Sequence, residues 1–496
     1  MRKLRQHQVE MDRLASDIIN GVISKRSITL DCTPGGGKTG SACLLATKML
    51  NAGVIDRVLW LVPRLSLERQ VREAFADWDR ECGRHLERPG RLNDIFAPSL
   101  PGAPRIVGCV ATYQTVASRK NWERFRDAVA RWRTLLICDE IQFLNDSVKE
   151  KGWRRYCGQV EKAARMSLLM TGTLWRSDGY RIPFVEYRRG ADQIIRPVPD
   201  ISYPLRAAVR EGAVLPTEWH NLGGVVHFKH NDVEHILDTL DDNGQENARV
   251  VRTFLRCEDT VHKLLDIAVE HWRTWRNDCY ESRMLVMADT IKDAEKWRNY
   301  LSNHHGIPCV LATSDAASAS RDLEAFRLKK CGLCLVTVGM AYVGFDCPDI
   351  THTVYLSRVR AKSYLAQASA RGSRFDPMAR IEYRYQHAFM FGPDDEALRR
   401  FAIENRLQTE TGIRDRPERE GIGGGGAFSP LDTFKPLGAD PGAIAVESLA
   451  RRLSPADVAM VEDFIRRCPR AASTPRSVLF EILQQAKWGQ QSGKVG

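Results

Sequence analysis

Short apolar runs of strand length alternate with amphipathic helical stretches in two blocks of this chain, the pattern of parallel sheets joined by crossover helices. In the first block the run Ser27–Cys32 passes through a glycine-rich turn into a helix from Lys38. Arg57–Pro63 precedes a helix over Ser66–Trp78, and further strands read at Arg105–Val110, Thr134–Asp139 and Met166–Thr171. The second block opens with Arg283–Met287. A helix over Ile291–His304 follows, then strands at Cys309–Thr313, Leu333–Thr337 and His352–Leu356.

The texture changes outside these blocks. Residues 201–280 mix hairpin-like and helical pieces and read as a linker with a small inserted subdomain. Beyond Phe401 the chain becomes charged and then glycine-rich, with four consecutive glycines at Gly423–Gly426 that read as a flexible joint. Ser454-Pro455 and Thr474-Pro475 each place a hydroxyl before a proline suited to the first helical position. The expected organisation is an α/β lobe over 1–200, the linker over 201–280, and a second lobe over 281–400. A flexible stretch over 401–440 and a small helical C-terminal module over 441–490 complete it.

Composition narrows the function classes. At 496 residues, 43% hydrophobic and 27% charged, the chain has the make-up of a soluble protein with more than one core. No apolar run approaches the ~18–20 residues needed to span a bilayer, so no membrane partner is expected. Met1-Arg2-Lys3 leads straight into a polar helix with no signal-peptide pattern, and a cytoplasmic location is expected. The net charge of +11 raises the local concentration of polyanions such as nucleic acid, although a basic protein need not bind one. Thirteen cysteines are scattered, many inside apolar strands, as small buried hydrophobes are in a reducing compartment. The Cys331-Gly332-Leu333-Cys334 pair has only His304-His305 nearby, from a different element, and no zinc site is expected there.

Two motifs carry chemistry. Cys32-Thr33-Pro34-Gly35-Gly36-Gly37-Lys38-Thr39 lies between a strand and a helix, the context of a phosphate-binding loop. Gly35, Gly36 and Gly37 let backbone N–H groups converge on phosphate oxygens, and the helix dipole adds to them. Lys38 would reach the β- and γ-phosphates of ATP, and Thr39 would hold Mg²⁺. A merely structural glycine turn is the alternative. The run Leu135-Leu136-Ile137-Cys138 ends in Asp139-Glu140-Ile141-Gln142, which puts two carboxylates at the carboxyl edge of a sheet. Asp139 would complete the Mg²⁺ site and Glu140 would polarise the attacking water.

With these two motifs in order, the chain resembles the superfamily 2 helicases and translocases. The resemblance implies two tandem RecA-like lobes, an ATP- and Mg²⁺-dependent activity on nucleic acid, and a set of further site residues. Leu4-Arg5-Gln6-His7-Gln8 is similar to the segment whose glutamine, here Gln8, reads the adenine. Val62-Pro63-Arg64 resembles motif Ia and Ala111-Thr112-Tyr113-Gln114 motif Ic, so Pro63, Arg64 and Thr112 would contact the nucleic acid backbone. Thr171-Gly172-Thr173 resembles motif III, which implies coupling of hydrolysis to the strand through Thr171 and Thr173, with Gln142 in the catalytic set. Gly344-Phe345-Asp346 resembles motif V, placing Gly344 and Asp346 by the nucleotide.

The last motif also has a physical reading. In Gln367-Ala368-Ser369-Ala370-Arg371-Gly372-Ser373-Arg374, similar to motif VI, spacings of four and three set Gln367, Arg371 and Arg374 on one helical face. Two guanidiniums on a γ-phosphate would stabilise transition-state charge; a solvated basic face is the alternative. The sequence departs from the pattern at Ala370, where a glycine is usual, and at Val338, where the motif V threonine would stand; Cys32 replaces the glycine of the general Walker pattern, as small residues usually do in superfamily 2 loops. The resemblance covers about residues 1–395 and is strongest to bacterial restriction "Res" subunits and branch-migration helicases, through Thr171–Asp178 and Ala312–Asp315. That implies DNA with a single-stranded region as partner, while the helical tail offers a surface for a protein partner.

Other features add little. His271-Trp272-Arg273-Thr274-Trp275-Arg276 reads as an amphipathic helix burying both tryptophans, with base stacking as the alternative. No nuclease cluster is visible. A strand-separating helicase, a duplex translocase and a nucleic-acid-gated ATPase switch all remain open, since they share these residues.

Overall fold

The structure, a computed structural model, describes the chain apart from residues 1–2, 91–93, 97–104, 119, 145–150, 175–180, 191–192, 194, 240–243, 314–317, 339–344, 346, 376–382, 384–385, 408–433, 449–462, 465 and 467–496. It divides into two compact units, one built on Met1–Pro204 and one on Leu205–Thr409 with a later strand.

The first unit begins α1 (Gln6–Ile19), β1 (Ser27–Cys32), α2 (Lys38–Asn51), β2 (Arg57–Val62), α3 (Ser66–Trp78) and β3 (His85–Glu87). It continues β4 (Ile106–Thr112), α4 (Tyr113–Val116), α5 (Trp122–Arg131), β5 (Thr134–Cys138), α6 (Lys151–Ala163) and β6 (Met166–Thr171). An antiparallel pair, β7 (Tyr187–Arg189) and β8 (Ile195–Pro197), precedes β9 (Ile201–Tyr203). Seven strands form one parallel sheet in the order β3-β4-β2-β5-β6-β1-β9. Every residue of β5 and β6 is buried, as a sheet covered on both faces demands of its central strands. Helix α3 sends Leu67, Val71 and Phe75, four apart, into the protein. Its end is closed by a buried ion pair in which Arg84 Nε meets Asp79 Oδ2 at 2.7 Å. Losing either partner would strand a buried charge, at about 3–5 kcal/mol.

The second unit begins α7 (Leu205–Arg210), β10 (Thr217–His230), β11 (Val233–Asp238), α8 (Asn247–Arg256) and α9 (Glu258–Trp275). It continues β12 (Arg283–Ala288), α10 (Ile291–Asn303), β13 (Cys309–Ala312), α11 (Ala319–Arg327), β14 (Cys334–Thr337) and β15 (Ile350–Leu356). It ends α12 (Lys362–Gly372), β16 (Ala388–Pro393), α13 (Glu396–Leu407) and β17 (Phe434–Ser448). The sheet order is β11-β10-β16-β15-β12-β14-β13, parallel from β10 to β13, with β11 and β17 antiparallel to β10. Arg283, at the start of β12, holds Asp349 beside β15 with two bonds of 2.8 Å. Thr290 caps α10, its Oγ1 accepting from the Asp293 N–H at 3.2 Å.

The two expected α/β lobes are present, and strands β1, β6 and helix α3 match their expected bounds residue for residue. Two expectations need correction. Residues 201–280 are not a separate linker: β9 joins the first sheet beside β1, and β10 lies within the second beside β16. Residues 434–448, read as the end of a flexible joint and the start of a helical module, are instead strand β17 along β10. Of the rest of that module only Asp463, Phe464 and Arg466 are described, as helix; Gly423–Gly426 lie outside the described residues. Among the described residues no helix is long and apolar enough to cross a membrane.

Candidate nucleotide site and nucleic-acid contacts

The phosphate loop forms where the sequence places it, between β1 and α2. Gly37, immediately before α2, has φ 102°, a left-handed conformation that side chains other than glycine rarely take. Gly36 has no room for a side chain, since a Cβ there would lie 2.7 Å from Cys32 Sγ. Lys38 and Thr39 follow as the first two residues of α2. On the other side of the loop, Arg5 Nη1 donates to the Gly36 carbonyl at 2.6 Å. Gln8 Oε1 accepts from the Arg5 N–H at 3.0 Å, and a Cβ on Gly40 would stand 2.7 Å from Gln8 Nε2. Gln8 is thus lodged against the start of α2.

The acidic motif meets this loop through Lys38. Its Nζ lies 3.0 Å from Glu140 Oε1, and both side chains are only 10% exposed. Glu140 itself is left-handed, at φ 50° and ψ 54°, a strained conformation for a long side chain at the end of β5. From Glu140 the network continues: Gln142 Nε2 donates to Glu140 Oε2 at 2.7 Å, and Thr171 Oγ1 donates to Gln142 Oε1 at 2.6 Å. The Thr173 N–H donates to Thr171 Oγ1 at 2.9 Å. Gly172 closes the circuit sterically, since a Cβ there would meet Pro34 Cγ at 2.7 Å and Lys38 Nζ at 2.9 Å. Phosphate loop, acidic pair and Thr171-Gly172-Thr173 therefore form one packed unit.

The electrostatics separate the two carboxylates. Burial would raise the Glu140 carboxyl, but Lys38, Gln142 and the Gly172 N–H outweigh it and hold it below its ordinary value. Burial lowers the Lys38 ammonium, yet Glu140 overrides this and raises it. Asp139 is pushed up to about 7, by burial first and the neighbouring Glu140 charge second, with Lys38 pulling back. A buried carboxyl raised by desolvation and by a neighbouring negative charge suits a divalent cation. With the Thr39 hydroxyl it supplies the hard oxygen donors that Mg²⁺ prefers, and the glycine loop has the bare backbone that phosphate requires. The residues fit Mg²⁺ and a nucleoside triphosphate.

The residues expected to touch nucleic acid fall into two groups. Pro63 and Arg64 follow β2, and Thr112 ends β4, where its Oγ1 caps α4 by accepting from the Thr115 N–H at 3.1 Å. Thr112 lines a cleft of about 370 Å³ with Leu65, Thr115, Asn121 and Arg124 at the carboxyl edge of the first sheet. Thr171 and Thr173 do not belong there. Both are fully buried: the Thr171 hydroxyl bonds inside the network above and the Thr173 N–H donates to it, while the Thr173 hydroxyl is buried without a hydrogen bond, which sets both apart from that cleft.

In the second unit Gly344 and Asp346 lie outside the described residues. Arg371 is buried, donating through Nη1 to the Phe345 carbonyl at 2.6 Å and through Nη2 to Gln367 Oε1 at 2.8 Å. Those bonds tie the helix bearing Gln367 to the segment that resembles motif V. Arg374 lies just past α12, half-buried, bridged to Val214. Thr337 turns inward, donating to the Ala312 carbonyl at 2.7 Å, and Val338 after it is half-buried.

Elsewhere, Trp272 is buried with its Nε1 donating to the Ser282 carbonyl at 3.2 Å, and the half-buried Trp275 packs edge-on against Phe389. Cys331 is exposed while Cys334 is buried, and His305 Nε2 lies 2.7 Å from Asp266 Oδ1. Two features were not anticipated: the clamp of Arg5 on Gly36, and a polar set at Glu218, His220 and His271. Arg5 stood inside a quoted motif with nothing marking its target; the second set is scattered over a strand and a helix.

Comparisons with known proteins agree with this geometry. Residues 2–176 match the family described as the type III restriction enzyme, res subunit. An uncharacterized protein of Mycobacterium tuberculosis is 27% identical over 405 residues, 81% of this chain, of which the chain spans 62%. In fold, the chain is similar to a fragment of an HsdR subunit of a type I restriction enzyme from Vibrio vulnificus. That likeness has a TM-score of 0.52 at 18% identity and covers 80% of this chain and 65% of that one. The ATP-dependent type ISP restriction-modification enzyme LlaBIII bound to DNA is similar with a TM-score of 0.50 at 14% identity, covering 83% and 31%. Residues 2–176, which hold the phosphate loop and the acidic motif, are thus the part of the chain that is similar to the type III restriction enzyme res subunits.

Proposed function

We propose that the chain hydrolyses ATP and couples the reaction to movement along DNA that has a single-stranded region. The observation that carries this reading is the buried path from Lys38 through Glu140 and Gln142 to Thr171. Lys38 offsets charge on the β- and γ-phosphates, Glu140 orients the attacking water, and Asp139 with Thr39 holds Mg²⁺. Bound there, Mg²⁺ would supply positive charge to offset what builds on the phosphates. A change at the γ-phosphate alters the partner of Lys38, hence the position of Glu140, and reaches Thr171-Gly172-Thr173 through Gln142. Arg371 and Arg374 are the guanidiniums that would offset charge at the transition state. The cleft beside Thr112, with Arg124 in its wall, suits a phosphate backbone, and LlaBIII, which shares the fold, is seen on DNA.

The test is a panel of ATPase rates with single-stranded DNA, duplex DNA, forked DNA and RNA. Stimulation by the single-stranded and forked DNA is expected, with little by RNA. Rates indifferent to every nucleic acid would overturn the proposal. Stimulation without strand displacement or translocation would reassign the chain to a nucleic-acid-gated switch.

A further inference from the structure

We propose that Cys309 and Cys334 form an oxidisable thiol pair in the second lobe, which a hydroperoxide converts into a disulfide between β13 and β14, independently of the nucleotide site. The two residues are register partners on these adjacent parallel strands. The Cys334 N–H also reaches the carbonyl of Pro308, the residue before Cys309, at 3.3 Å. Neighbouring strands run about 4.8 Å apart, and a disulfide joins α-carbons about 4.4–6.8 Å apart. The backbone therefore already stands at bonding separation. Both side chains pack into the apolar layer that Trp297 and Leu301 of α10 cover, so they share one face of the sheet.

The local chain fixes this placement. Gly332, left-handed at φ 65°, makes the turn into β14, and a Cβ there would lie 2.6 Å from Val310 Cγ2. That turn delivers Cys334 to a buried position and leaves Cys331, its neighbour in the sequence motif, exposed. At the other end of the two strands, Thr337 on β14 donates to the Ala312 carbonyl on β13 at 2.7 Å. A disulfide at the first register pair would fasten the strands at both ends.

The two sulfurs differ in the way stepwise oxidation requires. β13 ends the sheet and Cys309 is partly exposed, within reach of a small peroxide, whereas Cys334 is buried. A hydrogen bond from the Cys334 thiol holds Cys309 below its ordinary value against its partial burial, and the Ser302 hydroxyl and the Arg298 charge add to it. Burial pushes the Cys334 thiol up, as it does those of Cys32, Cys138 and Cys157. Cys309 is thus the sulfur of the pair that ionises first. Its thiolate attacks one peroxide oxygen, the O–O bond breaks, and the departing oxygen takes a proton, leaving a sulfenic acid on Cys309. The Cys334 sulfur then attacks the Cys309 sulfur, the S–O bond breaks, and hydroxide leaves as water with the Cys334 proton. The two thiols give up two electrons and the peroxide accepts them.

The experiment treats the full chain with one equivalent of hydrogen peroxide, blocks the remaining thiols, and maps the peptides by mass spectrometry. A linked Cys309–Cys334 peptide, two hydrogens lighter than its parts, is expected, and dithiothreitol should return both thiols. Cys334→Ser should lose the link and leave a sulfenic acid on Cys309 that dimedone traps, while Cys309→Ser should lose both signals. Cys331→Ser should keep the link. The map of the parent chain decides by itself should a variant fail to fold. A link through Cys331, dimedone labelling of Cys334 in the parent chain, or recovery of Cys309 and Cys334 as thiols after peroxide would each overturn the proposal.

Discussion

Thr171 Oγ1 and Gln142 Oε1 lie 2.6 Å apart in a fully buried contact that links β6 to the residues after β5. Thr171→Val keeps the shape and removes the donor, leaving an amide oxygen unsatisfied at about 1–3 kcal/mol, read as a shift in the denaturation midpoint. Since Gln142 holds Glu140, turnover should fall by roughly ten- to a hundredfold. Affinity for single-stranded DNA should stay within about twofold, on the scale where a lost phosphate contact would show as a larger salt-dependent loss. Collapse of DNA affinity would restore Thr171 to the strand interface.

Lys38 and Glu140 should be linked in stability as well as in activity. Lys38→Met removes the cation beside the buried Glu140 carboxylate, a loss of about 3–5 kcal/mol, and abolishes hydrolysis. Glu140→Gln should bind ATP and fail to turn it over. The double variant should regain most of the stability and none of the activity. Chemical denaturation with ATPase assays checks both, and additive stability losses would rule out a direct pair.

The Asp139 carboxyl, raised to about 7, makes Mg²⁺ binding depend on pH. Below that value the proton must leave before the metal enters; above it the carboxylate is already ionised. The half-saturating Mg²⁺ concentration for ATPase should therefore fall about tenfold from pH 6 to pH 8 and level off above 7. Asp139→Asn should bind Mg²⁺ weakly with no such slope. A flat profile in the parent chain would show that Asp139 is ionised throughout.

Arg374→Ala should cut DNA-stimulated turnover by on the order of a thousandfold, the scale on which arginine fingers act, with little change in DNA affinity. Arg374→Lys should recover little, because a compact ammonium does not reproduce the planar fork. Normal turnover with lost DNA binding would move this residue from the nucleotide to the strand.

The parts of the fold that were legible are those whose signals are local. β1, its glycines and α2 sit within one short stretch, and β5 is apolar from Leu135 to Cys138 because both its faces are covered. β10 escaped notice because polar residues, Glu218, His220 and Asn221, occupy buried positions on it. β17 carries Pro436, Gly438, Pro441 and Gly442, which read as strand breakers. It is accommodated because its register with β10 shifts near Gly224 and again between His227 and Phe228. At the site, residue identities were visible but hydrogen-bond targets were not, so Thr171 was assigned outward and Arg5 not at all.

The β10–β17 pairing changes how the second lobe can be cut from the chain. Any fragment ending before Phe434 would strip β10 of a neighbour along most of its length, from Glu218 to His230. The bared edge would carry Trp219, Val225 and Val226 beside free amides and carbonyls, a template for self-association. A minimal second lobe therefore has to carry its closing strand across the long glycine-rich intervening segment, and poor behaviour of a shorter one would reflect an uncapped sheet.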